Sequence, residues 1–143
     1  MWIPPYNSFP TSRLAILTLV MNLLISIVDD DESVRQALKS LIDSVGFRAE
    51  VFGSGEEFLN SAYVLQTDCL IADVRMPGMS GLELQERLKR AGSPVPIVFI
   101  SAHDDGEARD RGLRAGAIAF LQKPFSEDAL LGAITESLDK TSN

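Results

Sequence analysis

The chain has 143 residues, of which 45% are hydrophobic and 23% charged, and its formal net charge is −7. This length and composition suit one globular domain. The negative charge argues against a nucleic-acid-binding surface, which needs a basic patch to neutralise phosphates, so we expect no direct contact with nucleic acid.

Residues 1–22 form an N-terminal extension that precedes the folded pattern. Residues 1–13 contain three prolines and no hydrophobic periodicity, and the uncharged run Leu14–Val28 follows them. That run is shorter than the about 20 apolar residues of a membrane-spanning helix. Only Arg13 precedes it, whereas a signal peptide has a basic start and a small-residue cleavage site. We therefore expect no membrane association, and Met21 is a candidate for the natural start.

From Leu23 onward, short apolar runs alternate with helical patterns up to a tail at 140–143. The predicted strands cover residues 23–28, 47–52, 69–74, 96–101 and 117–122. The predicted helices cover residues 32–46, 55–65, 80–92, 104–116 and 126–140. Five strands alternating with five helices predict one α/β domain over 23–139, a doubly wound parallel sheet with helices on both faces. We interpret the charges of the fourth helix, Asp104 to Arg114, as a solvated face.

Polar residues follow four of the predicted strands, and ligands of such folds gather at the carboxyl ends of the strands. They are Asp29, Asp30, Asp31, Asp73, Ser101 and Lys123. Crowded carboxylates repel one another, and Mg²⁺, which prefers oxygen ligands, relieves that repulsion. A lysine and a hydroxyl beside the metal suit a phosphoryl group. An aspartate can itself be the nucleophile, so Asp73 is a candidate phosphoacceptor. Asp31 is expected to cap the first helix instead.

Four loop motifs make the chain resemble a response-regulator receiver domain of two-component systems, over about residues 23–139. The motifs are Val28-Asp29-Asp30, Asp73 with Met76-Pro77 and Gly81, Ser101-Ala102, and Lys123-Pro124-Phe125. The stretch DVRMPGMSG is similar in particular to the nitrogen-fixation regulator type. The resemblance implies a flavodoxin-like (βα)5 fold, a five-stranded parallel sheet with strand order 2-1-3-4-5.

The resemblance also implies roles for the residues at the strand ends. Asp73 would accept a phosphoryl group from a sensor histidine kinase or phosphotransfer protein. Asp30, Asp73 and the main-chain carbonyl of Arg75 would bind Mg²⁺ directly, and Asp29 would bind it through water. Ser101 and Lys123 would contact the phosphoryl group. The receiver would not otherwise be an enzyme, beyond Mg²⁺-dependent self-phosphorylation and autodephosphorylation.

Further implications concern switching and partners. Phe120 would be the aromatic switch residue that changes rotamer with Ser101, and Arg75 and His103 would tune dephosphorylation. The Lys123–Pro124 bond is expected to be cis, which X-Pro bonds permit. A downstream effector or a second copy would bind through helix 4, strand 5 and helix 5. No output domain follows in this chain. We expect a cytoplasmic protein, because a single cysteine, Cys69, in a predicted strand is typical of a buried thiol in a reducing compartment.

Three alternatives remain to be weighed against this interpretation. A haloacid-dehalogenase-type enzyme also uses an aspartate nucleophile, but it needs a second aspartate where this chain has Arg75. A nucleotide-binding Rossmann site needs a glycine-rich first loop, and VDDDES is acidic. A pseudo-receiver, a protein-binding module that phosphorylation does not regulate, is expected to lose acidic or lysine positions, and none is lost.

Overall fold

The computed structural model describes Arg13 and residues 22–141 of the chain. The predictions for the rest of the N-terminal extension and for residues 142–143 lie outside the described residues. The strands are β1 Leu24–Val28, β2 Arg48–Phe52, β3 Cys69–Asp73, β4 Ile97–Ser101 and β5 Ala119–Gln122. The helices are α1 Glu32–Ser44, α2 Gly55–Leu59, α3 Gly81–Arg90, α4 Gly106–Arg114 and α5 Glu127–Thr141.

All neighbouring strands pair in parallel, in the order β2-β1-β3-β4-β5, which confirms the predicted fold and strand order. Every residue of β1, β3 and β4 is buried. Their continuous apolar sequences are those of strands covered on both faces, because a strand with one wet face would alternate. Order β2-β1-β3 places the chain reversal between β1 and β3, where their carboxyl ends leave a crevice.

Two hydrophobic cores cover the two faces of the sheet. On one face, Ile27, Ile71 and Ile100 pack with Ile42 of α1 and Ile134 of α5. On the other face the core consists of residues from the sheet, α2, α3 and α4. They include Val28, Leu70, Phe99, Phe58, Leu84 and Ala108. Cys69 is a fully buried member of the first core, and burial raises the pKa of its thiol to about 11. It is therefore the packed, unreactive thiol that the sequence predicted.

The helices begin where short polar side chains accept hydrogen bonds from free main-chain amides. Asp31 caps α1, as predicted, by accepting from the amides of Ser33 and Val34. Ser54, Ser80 and Asp105 cap α2, α3 and α4 in the same way. These caps fix the first turn of each of these four helices. No helix among the described residues is long and apolar enough to cross a membrane.

The predicted end of the second helix is wrong by several residues. The second helix was predicted to reach Leu65, but α2 ends at Leu59 and turns follow. The Ser61 hydroxyl donates to the carbonyl of Phe58 and accepts from the amide of Tyr63, and so competes with the helical hydrogen bonds. At the other end of the chain, α5 ends at Thr141, one residue beyond the predicted end of the fifth helix.

Candidate functional site

Three aspartates meet at the carboxyl edge of the sheet, because β1 and β3 are neighbours and both end there. Asp29 and Asp30 follow β1, and Asp73 is the last residue of β3. Each offers a carboxylate oxygen, and the three oxygens lie within 4.8 Å of one another. Asp29 is fully buried, Asp73 is 7% exposed, and Asp30 is exposed. The predicted acidic cluster is therefore assembled, with two of its members out of water.

Lys123 brings a positive charge to this cluster from the end of β5. Its ammonium lies 3.0 Å from Oδ2 of Asp29 and 3.6 Å from Oδ2 of Asp73. The Lys123–Pro124 peptide bond is cis, as expected. The sequence predicted a pair between Lys123 and Asp73, and the shorter contact to Asp29 was not anticipated.

The surroundings of Asp73 disfavour the ionised form of its carboxyl group. Burial raises its pKa above the usual value, and the neighbouring charge of Asp29 raises it further. Lys123 and the amide of Arg75, which donates to Oδ1 over 3.1 Å, act in the opposite direction. A divalent cation would relieve the remaining repulsion, and three carboxylates are the oxygen donors that Mg²⁺ prefers. The residues present fit a magnesium ion.

The loop after β3 turns tightly to enter α3. The amide of Gly81 donates to the carbonyl of Val74 over 2.9 Å, and a β-carbon at position 81 would collide with the main-chain oxygen of Asp73. Glycine is therefore needed for α3 to begin this close to Asp73. The Arg75 side chain leaves the loop and donates to Oδ2 of Asp105, the N-cap of α4. Arg75 thus contacts Asp73 through its amide and the start of α4 through its guanidinium.

Ser101 and Phe120 lie on the two strands beyond β3. Ser101 is fully buried, and its hydroxyl donates to the carbonyl of His103 over 3.0 Å and accepts from the His103 amide over 3.1 Å. The hydroxyl is thus bonded to its own loop and not to Asp73. The His103 side chain is exposed. Phe120 is half-buried, with its ring centroid 6.4 Å from that of Phe99.

Two residues that contact the site were missed from the sequence. Arg35 of α1 bonds the main-chain oxygen of Asp29, and no residue pattern pointed to it. Asp105 was assigned to a solvated face, and that interpretation is wrong, because Asp105 caps α4 and pairs with Arg75. The Ala108 amide and Arg75 both lower the pKa of Asp105. The signal for Asp105 was its residue type at the start of a helical pattern, where aspartate is a preferred cap.

Comparison with known proteins decides the family. A model described as the response regulator receiver domain matches residues 25–135. The chain belongs to this family. The receiver is 50% identical over 115 residues to the response regulator protein TmoT of Ectopseudomonas mendocina. This alignment covers 80% of this chain and 52% of TmoT. It is 38% identical to the transcriptional regulatory protein FixJ of Bradyrhizobium diazoefficiens, over 80% of this chain and 56% of FixJ.

Solved structures agree with this assignment. The receiver superimposes on the structure named FixJ-N with a TM-score of 0.75 and 33% identity, covering 82% of this chain and 94% of that one. It superimposes on the response regulator StyR with a TM-score of 0.79 and 47% identity, and the match covers 85% of this chain and 61% of the StyR chain. The predicted resemblance to the nitrogen-fixation regulator type is confirmed. The receiver spans about half the length of the curated relatives it matches.

Proposed function

We propose that this receiver accepts a phosphoryl group on Asp73 from a sensor histidine kinase or phosphotransfer protein, and that the modification changes the face formed by α4, β5 and α5. A downstream effector or a second copy of the receiver would bind that face. The observation that carries the proposal is the convergence of Asp29, Asp30 and Asp73, with the Lys123 ammonium 3.6 Å from Asp73.

In the proposed reaction, a carboxylate oxygen of Asp73 attacks phosphorus, the P–N bond of a phosphohistidine breaks, and the imidazole leaves with the electron pair. Lys123 suits this reaction because its ammonium can follow the negative charge from the carboxylate to the phosphoryl oxygens. The hydroxyl of Ser101, at the end of the adjacent strand, would donate to one of those oxygens after giving up the bond that it donates to the His103 carbonyl.

The proposed magnesium ligands are the carboxylates of Asp30 and Asp73 and the main-chain carbonyl of Arg75, with Asp29 acting through water. Bound Mg²⁺ would neutralise the clustered carboxylates and the oxygens of the phosphoryl group. The exposure of Asp30 suits a direct ligand, since a metal arriving from solvent reaches it first. Asp29 already accepts from Lys123, and this suits a ligand that acts through water.

Arg75 and His103 are proposed to tune the rate of dephosphorylation. Both side chains are exposed, and each follows a site residue by two positions. From there they can obstruct or orient water that attacks the phosphoryl group. Phe120 is proposed to move with Ser101. We place the receiver in the cytoplasm, where the buried free thiol of Cys69 would stay reduced.

Phosphorylation can be tested with acetyl phosphate and Mg²⁺, followed by intact mass spectrometry. We expect a single phosphate adduct on the wild type and none on Asp73→Asn, because the amide cannot act as the nucleophile. Asp43→Asn is the matched control, since Asp43 is an exposed aspartate paired with Lys39 far along α1, and it should be phosphorylated as the wild type is.

Two outcomes would contradict this proposal. An adduct of equal yield on Asp73→Asn would place the phosphoacceptor elsewhere. A wild type that stays unmodified by acetyl phosphate and also shows no response to beryllofluoride with Mg²⁺ would favour the pseudo-receiver, a protein-binding module without phosphorylation.

A further inference from the structure

The main-chain carbonyl of Asp29 accepts a hydrogen bond from a side chain that the proposed function does not use. Arg35, in the first turns of α1, donates from Nη1 to this oxygen over 2.7 Å. The guanidinium is partly buried and lies beside Gly53, just after β2. It forms no ion pair with a carboxylate within the part of the chain that the structure describes. Among the described residues, the hydrogen bond that it donates goes to the main chain of the acidic loop.

This bond completes the set of contacts that holds Asp29. The Asp29 amide donates to the carbonyl of Phe52, and the carboxylate accepts from the amide of Asp31 and from Lys123. With Arg35 on the carbonyl, each polar atom of Asp29 has a partner. Such complete pairing is what a fully buried charged residue requires.

Arg35 also constrains the residue after Asp29. A peptide group is planar, so the carbonyl of Asp29 and the amide of Asp30 turn together. The Asp30 side chain is exposed and makes no hydrogen bond among the described residues, so its own contacts do not orient it. Holding the Asp29 carbonyl therefore restricts the main-chain position from which the Asp30 side chain extends. The bond from Arg35 thus acts on the peptide that joins two of the three residues with clustered carboxylates.

We propose that Arg35 is a positioning residue for the magnesium site, acting through the peptide between Asp29 and Asp30. The inference rests on the proposed function, because it concerns the affinity of the acidic cluster for Mg²⁺. It assigns Arg35 no contact with the metal or with the phosphoryl group.

Charge and position predict opposite effects of removing Arg35. A nearby positive charge repels Mg²⁺, so an Arg35 that acted only as a charge would weaken binding, and its loss would strengthen it. A positioning Arg35 holds the ligand loop in its binding arrangement, and its loss would weaken binding, as for other residues that orient metal ligands. The sign of the change therefore identifies the role.

The experiment measures Mg²⁺ affinity by isothermal titration calorimetry in the full chain for the wild type, Arg35→Met, Arg35→Lys and Lys39→Met. Lys39→Met is the matched control: Lys39 lies on the same helix, and its ammonium also bonds a main-chain carbonyl, that of Ala49, over 3.2 Å. That contact also shows that a lysine on α1 can reach a main-chain oxygen. Amide NMR shifts of Asp30 and Asp31 in metal-free protein provide a second readout, and the full spectrum reports folding.

We expect the dissociation constant for Mg²⁺ to rise about tenfold in Arg35→Met and to be unchanged in Lys39→Met. In Arg35→Lys the dissociation constant should return most of the way to the wild-type value. The Asp30 and Asp31 amide shifts should move in metal-free Arg35→Met while signals from the opposite end of the sheet stay in place. Equal or tighter Mg²⁺ binding by Arg35→Met, an equal loss in Lys39→Met, or no recovery in Arg35→Lys would overturn the proposal. Failure of the magnesium site itself would be distinguishable, because Asp30→Asn would then bind Mg²⁺ as the wild type does.

Discussion

Lys123 illustrates, at the scale of single residues, what the strand ends predict and what they leave open. The order of the strands determines that Lys123, Asp29 and Asp73 meet at one edge of the sheet, and this was predictable. It does not determine which carboxylate lies deeper. Asp29 is fully buried, and an unpaired buried charge is costly, so the ammonium lies nearer to it than to Asp73. Depth depends on packing around the loops, which periodicity does not report.

Asp73→Asn should stabilise the metal-free receiver at neutral pH. The folded-state pKa of Asp73 is raised, first by burial and then by Asp29, so the fold holds this proton more tightly than the unfolded chain does. The associated stability is present below the unfolded pKa and is lost as pH rises through the folded pKa. Asparagine has no proton to lose. In EDTA near pH 7, we expect the melting temperature of Asp73→Asn to exceed that of the wild type by a few degrees.

Thermal melts across pH check this sign. The advantage of Asp73→Asn should shrink as pH falls towards about 4, near the ordinary carboxyl pKa. It should also shrink when Mg²⁺ is added, because a ligand that binds only the folded state stabilises the wild type. If Asp73→Asn melts below the wild type in EDTA at neutral pH, burial and Asp29 do not dominate the environment of Asp73.

At the scale of secondary structure elements, the residue at which a helix begins was more predictable than the distance between that helix and the sheet. Capping residues indicate where a helix begins, because a short polar side chain accepts hydrogen bonds from the free main-chain amides there. How closely a helix approaches the sheet depends on small residues whose partners are remote in sequence. Gly112 of α4 is buried against Phe99 of β4, and Gln85 of α3 donates to the Gly112 carbonyl over 3.0 Å. Neither contact leaves a local pattern.

Gly112→Ala should force α4 away from the sheet. A β-carbon there would lie 2.9 Å from Cε2 of Phe99, a fully buried ring that has little room to move. Overpacking of this kind costs about 1–3 kcal/mol. Alanine also favours the helix by about 1 kcal/mol, so the comparison needs a control that shares that gain.

Gly132→Ala provides the control, since position 132 in α5 has no atom within 4 Å of the added β-carbon. In urea unfolding, Gly132→Ala should raise the free energy of unfolding by about 1 kcal/mol. The free energy of unfolding of Gly112→Ala should be about 1–3 kcal/mol lower than that of Gly132→Ala. Equal stabilisation of both variants would show that α4 tolerates the displacement at no cost.

At the scale of the whole molecule, the acidic site and the α4–β5–α5 face share one loop. That loop, between β4 and α4, is held by the Ser101 hydroxyl on His103 and by the pair between Arg75 and Asp105. Arg75 and Ser101 lie at the site, and Asp105 begins α4. A rearrangement of the Ser101 hydroxyl would break a contact within the loop from which α4 starts, and this contact is a candidate physical link between the site and the face.

Ser101→Ala should still accept a phosphoryl group but should fail to change the α4–β5–α5 face. In the wild type, a bond from Ser101 to a phosphoryl oxygen requires the hydroxyl to give up the bond that it donates to the His103 carbonyl, which loosens the loop. Phe120, whose ring already contacts Phe99, can then move inward as the loop shifts. A ligand changes such an equilibrium only through contacts that differ between the two states, and the differing contact here is the hydroxyl of Ser101.

Beryllofluoride with Mg²⁺, standing in for the phosphoryl group, tests this coupling by amide NMR. Shifts from about Ser101 to Phe125 should change widely in the wild type and much less in Ser101→Ala, while signals next to Asp73 should change in both. Ser26→Ala is the matched control, because Ser26 is an equally buried strand serine whose hydroxyl bonds Thr67, away from the face. Its face should respond as in the wild type. An equal response of the face in Ser101→Ala would mean that the coupling runs through other contacts, of which the Arg75–Asp105 pair is the next to remove.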